Sequence, residues 1–384
     1  MKITKKMFQK MEMKNNSKRR IIISGGGTGG HVFPAISIAN ALKAIDPDVD
    51  ILFVGALSKM EMEKVPAAGY PIVGLPISGF QRKLSLKNLA VVFKLGISLV
   101  KARKVIKKFQ PDVVVGVGGY ASGPVLRIAA GMGIPTLIQE QNSYAGVTNK
   151  LLAEKASKIC VAYENMSNFF PEHKIILTGN PVRQDLENIG GKRPHAMDYF
   201  HLDPAKKTIL VLGGSLGART INRSLLERMG KLSTSGVQVI WQTGSKYYKK
   251  INDEISCKDI ATIKVYDFIS RMDLAYAAAD IVISRAGACT ISELCLVGKP
   301  SILVPSPNVA EDHQTKNAMA LVDKDAARVV VDMEAHERLV DVALFMLNNE
   351  PVLNTLSTNI AKMAIRDSAK RIAEEVLKLA PKKE

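Results

Sequence analysis

The sequence predicts an α/β protein with two doubly wound parallel sheets, and three observations lead to this fold class. From Arg20 onward, short β-branched runs bounded by Gly, Pro or Asp alternate with helical stretches, as in βαβ units. This series pauses near residue 180 and starts afresh at Thr208. The chain has 384 residues, enough for two such domains.

The predicted order of elements follows from these runs. The first domain is expected over residues 20–180 and the second over 181–365, with the join near 179–183. The first series of strands is predicted at residues 21–24, 50–54, 70–74, 113–116, 136–139, 158–162 and 175–178. The second series is predicted at residues 208–212, 238–242, 262–266, 281–284, 301–304 and 328–331. A final helix from about 351 to 379 is expected to be interrupted near its middle.

The net charge of +17 lies mostly in the first half of the chain. Residues 1–180 contain 25 basic and 11 acidic residues, whereas residues 181–384 contain 28 and 25. An anionic partner is therefore expected for the first half: a membrane surface, a nucleic acid or a phosphorylated substrate. Aromatic stacking platforms and nucleic-acid reader motifs are not evident in this half, which argues against a nucleic-acid partner.

Two segments could contact a membrane surface, although no apolar run is long enough to span one. Residues 1–19 form a basic leader, expected to be flexible, without the apolar core of a secretory signal. Residues 75–108 mix apolar and basic residues, as in a helix on an anionic bilayer or a helix with one face packed on the sheet. The four cysteines lack metal-site or CxxC spacing and indicate reduced thiols in a cytosolic protein: Cys160, Cys257, Cys289 and Cys295.

Three glycine-rich loops follow predicted strands, at residues 24–34, 116–124 and 212–219. Glycine lets the backbone approach a ligand closely, and a helix N-terminus beyond such a loop favours phosphate. In the first loop, Pro34 is expected in the first turn of a helix over 35–44, and His31 lies at the mouth of the loop. The expected ligand is a phosphate compound.

Other interpretations of these loops are weaker. The first loop fits Gly-x-Gly-x-x-Gly, but no acid ends the next strand to hold the ribose of NAD. The third loop fits the Gly-x-Ser-x-Gly elbow of hydrolases, with Asp312 and His313 downstream, yet Ser215 in a phosphate nest is favoured. Beyond the strand at 281–284, Thr290 and Glu293 fit a helix capping box, or Glu293 holds ribose hydroxyls.

Six motifs, in this order along the chain, carry a family resemblance. They lie at residues 26–34, 118–120, 139–142 with 148–150, 179–183, 213–218 and 285–288. Together they resemble the N-acetylglucosaminyltransferases of peptidoglycan synthesis in glycosyltransferase family 28, from Arg20 to the C-terminus. The resemblance implies a GT-B fold, with two Rossmann-like domains facing across a cleft. It also implies that the last helix, about residues 366–384, crosses back to the first domain.

The resemblance implies a site residue by residue. The UDP-sugar contacts would be Thr28, Gly29, Gly30, Asn142, Arg183, Ser215, Ile269, Ala288, Cys289, Thr290, Ile291, Ser292, Glu293 and Gln314. The acceptor pyrophosphate would lie at Gly26, Gly27, Gly118 and Gly119. His31 is interpreted as the base, with Glu140 and Tyr120 as alternatives for acid–base or positioning roles. Two departures from the family pattern, Leu216 and His313, put individual polar contacts in doubt.

The implied activity is an inverting, metal-independent hexosyl transfer without a cofactor. N-acetylglucosamine (GlcNAc) would pass from UDP-GlcNAc to the 4-hydroxyl of N-acetylmuramic acid (MurNAc) in lipid I, the undecaprenyl-pyrophosphoryl-MurNAc-pentapeptide. The implied partners are these two substrates, the anionic inner-membrane surface and other cell-wall synthesis proteins. The implied location is peripheral, on the cytoplasmic face of the inner membrane. The alternative is another GT-B transferase with a UDP-sugar donor and a lipid or natural-product acceptor.

Overall fold

Two parallel β-sheets form the framework of the chain in a computed structural model, which describes residues 18–78, 86–214, 216–258, 260–309 and 312–381. The first sheet has seven strands in the order β3-β2-β1-β4-β5-β6-β7, and the second has six in the order β10-β9-β8-β11-β12-β13. All of the paired strands are parallel. The predicted fold class, two doubly wound parallel sheets, is confirmed.

The strands of the first sheet are β1 (Arg20–Ser24), β2 (Asp50–Ala56), β3 (Ile72–Leu75), β4 (Val113–Gly116), β5 (Thr136–Glu140), β6 (Lys158–Val161) and β7 (Ile175–Leu177). Its helices are α1 (Gly29–Ile45), α2 (Glu61–Ala67), α3 (Leu86–Phe109), α4 (Ser122–Gly131) and α5 (Val147–Leu152). Residues 21 to 23 of β1 are fully buried, because helices cover both faces of the sheet. The predicted strands agree with these to within about two residues.

The strands of the second sheet are β8 (Thr208–Leu212), β9 (Gln238–Gln242), β10 (Ile263–Tyr266), β11 (Ile281–Ser284), β12 (Ser301–Leu303) and β13 (Arg328–Val329). Between and after them lie α6 (Arg193–Tyr199), α7 (Arg219–Glu227), α8 (Met229–Thr234), α9 (Ser245–Ser256), α10 (Met272–Ala278), α11 (Ala288–Val297), α12 (His313–Val322) and α13 (Ala335–Leu347). Two cores, one on each face, pack around this sheet.

The register of the strands brings the glycine loops together. Ser24 at the end of β1 lies opposite Val54 on one side and Gly116 on the other. In the second sheet, Leu212 at the end of β8 lies opposite Gln242 and Ser284. The loops that follow these strands therefore leave from one edge of each sheet, the carboxyl edge, where ligands of doubly wound sheets collect.

The final helix is interrupted near its middle, as the sequence predicts. Helix α14 (Glu350–Lys362) packs on the second domain, whereas α15 (Ser368–Leu379) buries Ile372 and Val376 in the core beside α1. The residues between them include Asp367, with φ of 57°. The chain thus returns to the first domain, as the resemblance implies.

Two expectations about the N-terminal region need correction. Helix α1 begins at Gly29, six residues earlier than predicted, so Pro34 is its sixth residue and lies beyond the first turn. Residues 1–17 of the predicted leader lie outside the described residues. Arg19, its last residue, donates to Asp46 at 2.7 Å and to the Ala380 carbonyl at 2.6 Å, so it belongs to the folded domain.

The helix predicted within residues 75–108 is α3. Residues 79–85 of that stretch, including Arg82 and Lys83, lie outside the described residues. Of the helices that the structure describes, none combines the length and the apolar character needed to cross a bilayer.

Candidate active site

A cavity of about 520 Å³ lies between the carboxyl edges of the two sheets and is lined from both domains. It brings together most of the sequence-predicted UDP-sugar contacts and the predicted base. These residues are Thr28, Gly29, Gly30, His31, Asn142, Arg183, Ile269, Ala288, Cys289, Thr290, Glu293 and Gln314.

Several predicted residues lie elsewhere. Ser215 is outside the described residues. Ile291 is 2% exposed, and the Ser292 hydroxyl accepts from Asn180 Nδ2 at 3.0 Å, so neither side chain lines the cavity. The side chain of Tyr120 is 55% exposed, outside the cavity lining.

The four glycines predicted to hold the acceptor pyrophosphate belong to two loops in close contact. A Cβ atom on Gly119, which has φ of 81°, would collide with the carbonyl oxygen of Gly26. A Cβ on Gly118 would lie 2.8 Å from the His31 ring. Only glycine allows this approach, so the two loops position the imidazole.

A buried carboxylate lies beneath the first loop. Glu61, at the start of α2, is 1% exposed and accepts from the N–H groups of Gly27 and Ala56, both at 2.9 Å. The Gly27 N–H, which the sequence assigns to the acceptor pyrophosphate, therefore already has an acceptor. Sequence reasoning missed Glu61 as a site residue, because it is 34 positions from Gly27 and meets the loop only through the pairing of β1 with β2.

Hydrogen bonds to Gln141 fix the tautomer of His31. Gln141 Nε2 donates to the Val117 carbonyl at 2.8 Å and also to Gln139 Oε1. A carbonyl can only accept, so Gln141 Oε1 is the atom that faces His31 Nδ1, at 3.2 Å. Nδ1 of the neutral ring therefore carries the proton, and Nε2 has a lone pair available for a proton.

The surroundings of His31 hold it in the neutral form. Burial lowers the pKa of the imidazole below its usual value of 6.5, and this effect outweighs the opposing influence of Glu140. His313, across the cavity on α12, lowers the pKa further. A neutral imidazole with a free Nε2 has the form required of a general base.

Glu140 is engaged in organising its own loop. Its carboxylate, 1% exposed, accepts from the N–H groups of Asn142 and Gly146 at 3.0 and 2.9 Å and from Asn149 Nδ2 at 2.8 Å. It also accepts from Asn142 Nδ2 at 3.2 Å. This geometry favours a positioning role, with the negative charge supporting a protonated His31.

Glu293 lies on the opposite wall, within α11. Its carboxylate accepts from the Tyr276 hydroxyl at 3.0 Å and lies 3.9 Å from Arg183 Nε. Burial raises its pKa, against the lowering effect of Arg183. The capping-box interpretation is wrong, because α11 begins at Ala288 with Gly287 as N-cap, which puts Glu293 in its second turn.

The N-terminus of α11 faces the cavity and approaches the first domain. Gly287 has no side chain to cap the helix, so the first N–H groups and the helix dipole are available to a negative ligand. Cys289 Sγ contacts the carbonyl oxygen of Gly30 at 3.6 Å, and that carbonyl lacks its usual helical donor because the residue four positions on is Pro34. Burial raises the pKa of this thiol to about 12, so it is uncharged.

Two asparagines join the domains beside the cavity. Asn180 Nδ2 donates to the Gln141 carbonyl and to Ser292 Oγ, both at 3.0 Å. Asn317, fully buried on α12, accepts through Oδ1 from the Ser143 N–H at 3.2 Å and hydroxyl at 2.9 Å. Asn180 lies within a family motif, whereas no sequence signal pointed to Asn317.

His313, which the sequence analysis left in doubt as a contact, also lines the cavity, and the other lining residues were not predicted as contacts. Four of these lining residues lie within motifs that the sequence analysis singled out: Phe33, Gln141, Gly213 and Arg285. No sequence motif pointed to three others, which are Gln242, Phe268 and Met272. Among the described residues, no group of three or more His, Cys, Asp or Glu side chains could hold a metal ion.

Comparisons with known proteins agree with this architecture. The model of the glycosyltransferase family 28 N-terminal domain matches residues 21–161, and that of the family 28 C-terminal domain matches residues 208–372. A transferase from Parabacteroides distasonis is 62% identical over 95% of this chain and 100% of its own length. One from Bacteroides fragilis is 60% identical over 94% and 96%.

Both relatives are named UDP-N-acetylglucosamine–N-acetylmuramyl-(pentapeptide) pyrophosphoryl-undecaprenol N-acetylglucosamine transferase. The crystal structure of Acinetobacter baumannii MurG has a TM-score of 0.74 and 29% identity, covering 94% of this chain and 99% of that one. The chain therefore belongs to glycosyltransferase family 28 and, within it, to the MurG family.

Proposed function

We propose that the protein transfers GlcNAc from UDP-GlcNAc to the 4-hydroxyl of MurNAc in undecaprenyl-pyrophosphoryl-MurNAc-pentapeptide. The names of its full-length relatives support the two substrates. The observation that carries the chemistry is His31, whose Nε2 is unprotonated and which lines the same cavity as the N-terminus of α11.

The donor is proposed to lie against the second domain. Glu293, held by Tyr276 and Arg183, provides a carboxylate for the ribose hydroxyls. The Ile269 N–H donates to Gln242 Oε1 at 2.9 Å. This hydrogen bond fixes the backbone at the position proposed for the nucleobase of the donor. The uncapped N-terminus of α11, with the loop that contains Ser215, provides positive potential for the diphosphate.

The reaction is proposed as one displacement with inversion at the anomeric carbon. His31 Nε2 takes the proton of the acceptor 4-hydroxyl, and that oxygen bonds to C1 of GlcNAc. The bond from C1 to the diphosphate oxygen breaks, and its electron pair leaves with UDP. Amides at the helix N-terminus and Arg183 stabilise the charge that develops on the leaving group, so we propose that no metal ion is needed.

Gln141 and Glu140 are proposed to assist the transfer of a proton to His31. Gln141 accepts from Nδ1–H and so leaves the lone pair on Nε2, while the charge of Glu140 offsets the positive ring formed when the proton arrives. Placing the acceptor pyrophosphate at the two loops stays a proposal for Gly26, Gly118 and Gly119. We do not extend it to the Gly27 N–H, since Glu61 accepts from that group.

A membrane surface is the proposed partner of the first domain. Phe93, Ile97 and Val100 on α3 are 72%, 43% and 58% exposed, and their spacing puts them on one side of the helix. Lys94 and Lys104 are exposed on the same helix. We propose peripheral binding at the cytoplasmic face of the inner membrane, where other cell-wall synthesis proteins are candidate partners.

The test is a transfer assay with UDP-GlcNAc and a lipid-pyrophosphoryl MurNAc-pentapeptide acceptor, in the presence of EDTA. Formation of a disaccharide product by the wild type is expected. Absence of product with this acceptor, while a different acceptor is glycosylated, would assign the protein to another substrate. Transfer that requires added Mg²⁺ would overturn only the metal independence.

A further inference from the structure

A second cavity, of about 630 Å³, lies on the second domain next to the catalytic cleft. We term it the arginine pocket, after Arg219, Arg223 and Arg285 in its wall. Arg285 and Gln314 line both the arginine pocket and the cleft, so the two spaces adjoin. These two side chains therefore form a common boundary of the cleft and the pocket.

The wall of the pocket has an excess of positive charge. Its three guanidinium groups face one carboxylate, that of Asp332. Asp332 is already occupied, because Arg285 pairs with it and the Thr220 hydroxyl donates to it at 2.9 Å. Because residues 181–384 are close to neutral as a whole, with 28 basic and 25 acidic residues, the excess is a local feature.

Two of the guanidinium groups, those of Arg219 and Arg223, are exposed to solvent. Arg219 is exposed and forms no ion pair with any residue in the described part of the chain. Arg223 pairs at 2.6 Å with Glu227, one turn further along α7, and keeps 64% of its side chain exposed. Arg219 is also the first residue of α7, so the N-terminal amides of that helix add positive potential.

We propose that the arginine pocket binds the C-terminal carboxylate of the peptide carried by the acceptor. This inference rests on the proposed function, which places the muramyl sugar in the cleft. A muramyl peptide is attached next to the reacting hydroxyl and ends in a carboxylate. Five extended residues span up to roughly 17 Å, which allows the peptide to leave the cleft by the adjoining cavity.

We assign the pocket to a carboxylate and not to the donor phosphates, because the cleft already offers groups that suit those phosphates. The guanidinium fork binds carboxylates and phosphates alike with two parallel hydrogen bonds, so its geometry admits the peptide carboxylate. The donor diphosphate already has a helix N-terminus and Arg183 in the cleft. The pocket thus gives the enzyme a means to favour acceptors with a complete peptide.

The test compares three acceptors that share one lipid pyrophosphate: a muramyl pentapeptide, the same peptide with its C-terminus amidated, and a muramyl sugar without peptide. The Arg219→Gln, Arg223→Gln double variant should raise KM for the pentapeptide acceptor about tenfold, as loss of a charge-assisted contact does. Its kcat, and its KM for UDP-GlcNAc, should stay within about twofold of wild type. Arg338→Gln, an exposed arginine on α13 outside the pocket, is the matched control.

The amidated acceptor tests whether the pocket binds the terminal carboxylate of the peptide. Wild type should show the same rise in KM with it, and the double variant should show no further rise. Three outcomes for the double variant would overturn the proposal. Its KM could rise equally with all three acceptors, it could rise for UDP-GlcNAc instead, or it could not rise at all. Those outcomes leave transfer by the wild type intact, whereas failure of the wild type with every acceptor would overturn the proposed function itself.

Discussion

The imidazole of His31 owes its chemistry to neighbours that are distant in sequence. Gln141, 110 positions away, fixes the ring tautomer, and Gly118 leaves room for the ring against the second loop. Burial keeps the ring neutral near pH 7. A base of this kind loses activity only when the pH falls below the ordinary imidazole range, because protonation then removes the lone pair of Nε2.

Gln141→Glu tests this arrangement. A carboxylate beside Nδ1–H favours the imidazolium and raises the pKa of His31. The acid limb of the kcat/KM profile should therefore move to higher pH. Ser143→Ala, in the same loop, provides a control whose acid limb should stay in place. An unmoved limb in an active Gln141→Glu enzyme would contradict the assigned role of the ring.

At the scale of single residues, the sequence predicts which residues belong to the site better than it predicts their hydrogen-bond partners. The family resemblance points to His31, Asn142, Arg183 and Glu293, and all four residues line the cavity. The motifs could not identify Glu61, whose partner Gly27 is reached through strand pairing. The capping-box interpretation failed because the spacing of Thr290 and Glu293 fits two different helix starts, and only the structure distinguishes them.

Among the elements, the two glycine loops of the first domain act as one unit. Gly119 packs against the backbone of Gly26, and Glu61 holds the underside of the first loop. The N-terminus of α1 follows directly, at Gly29. The sequence predicts the strand and the glycine loop but places the helix start too late, because Pro34 suggests a first turn.

Gly119→Ala should disturb this unit far more than Gly133→Ala. Both positions have positive φ, 81° and 75°, but a Cβ at Gly133 would meet open space. The difference between the variants isolates the contact between loops, and we expect Gly119→Ala to lose about 1–3 kcal/mol more in the free energy of unfolding. Chemical denaturation measures both values. Equal losses of unfolding free energy in the two variants would show that the contact between the loops does not contribute to stability.

Helix α3 should carry part of the membrane affinity. Phe93→Asp with Ile97→Asp puts two charges on its exposed apolar side, where insertion into the lipid interface would bury them. Flotation with anionic vesicles should recover several-fold less of this variant than of wild type. Phe345→Asp, at an exposed phenylalanine on α13 of the second domain, should float like wild type. If the α3 variant floats as well as wild type, this helix does not contribute to membrane binding.

At the scale of the whole molecule, the chain crosses between the domains twice. It leaves the first domain after β7 and returns through α15, which packs on α1. Asn180 and Asn317 then join the domains beside the cavity. Alternation of strands and helices predicts the two sheets, but the contacts between domains depend on single side chains and could not be predicted from patterns.

The return of α15 should contribute to the stability of the first domain. Ile372 is fully buried against the core that contains α1, so Ile372→Ala should lower the free energy of unfolding by about 2–5 kcal/mol. Lys370→Ala changes an exposed residue of the same helix and should have a small effect. Thermal and urea denaturation measure both variants. A similar small effect for both would mean that α15 packs loosely on the first domain.

The most direct test of the central claim is the turnover of His31→Ala with UDP-GlcNAc and the lipid-pyrophosphoryl MurNAc-pentapeptide acceptor. We expect kcat to fall by about 10²–10⁴, since a positioned general base contributes that much. Calorimetric binding of UDP-GlcNAc should change little, because we propose that the donor lies mainly on the second domain. Full turnover by His31→Ala would contradict the account, since the proton of the acceptor hydroxyl would then leave by another route.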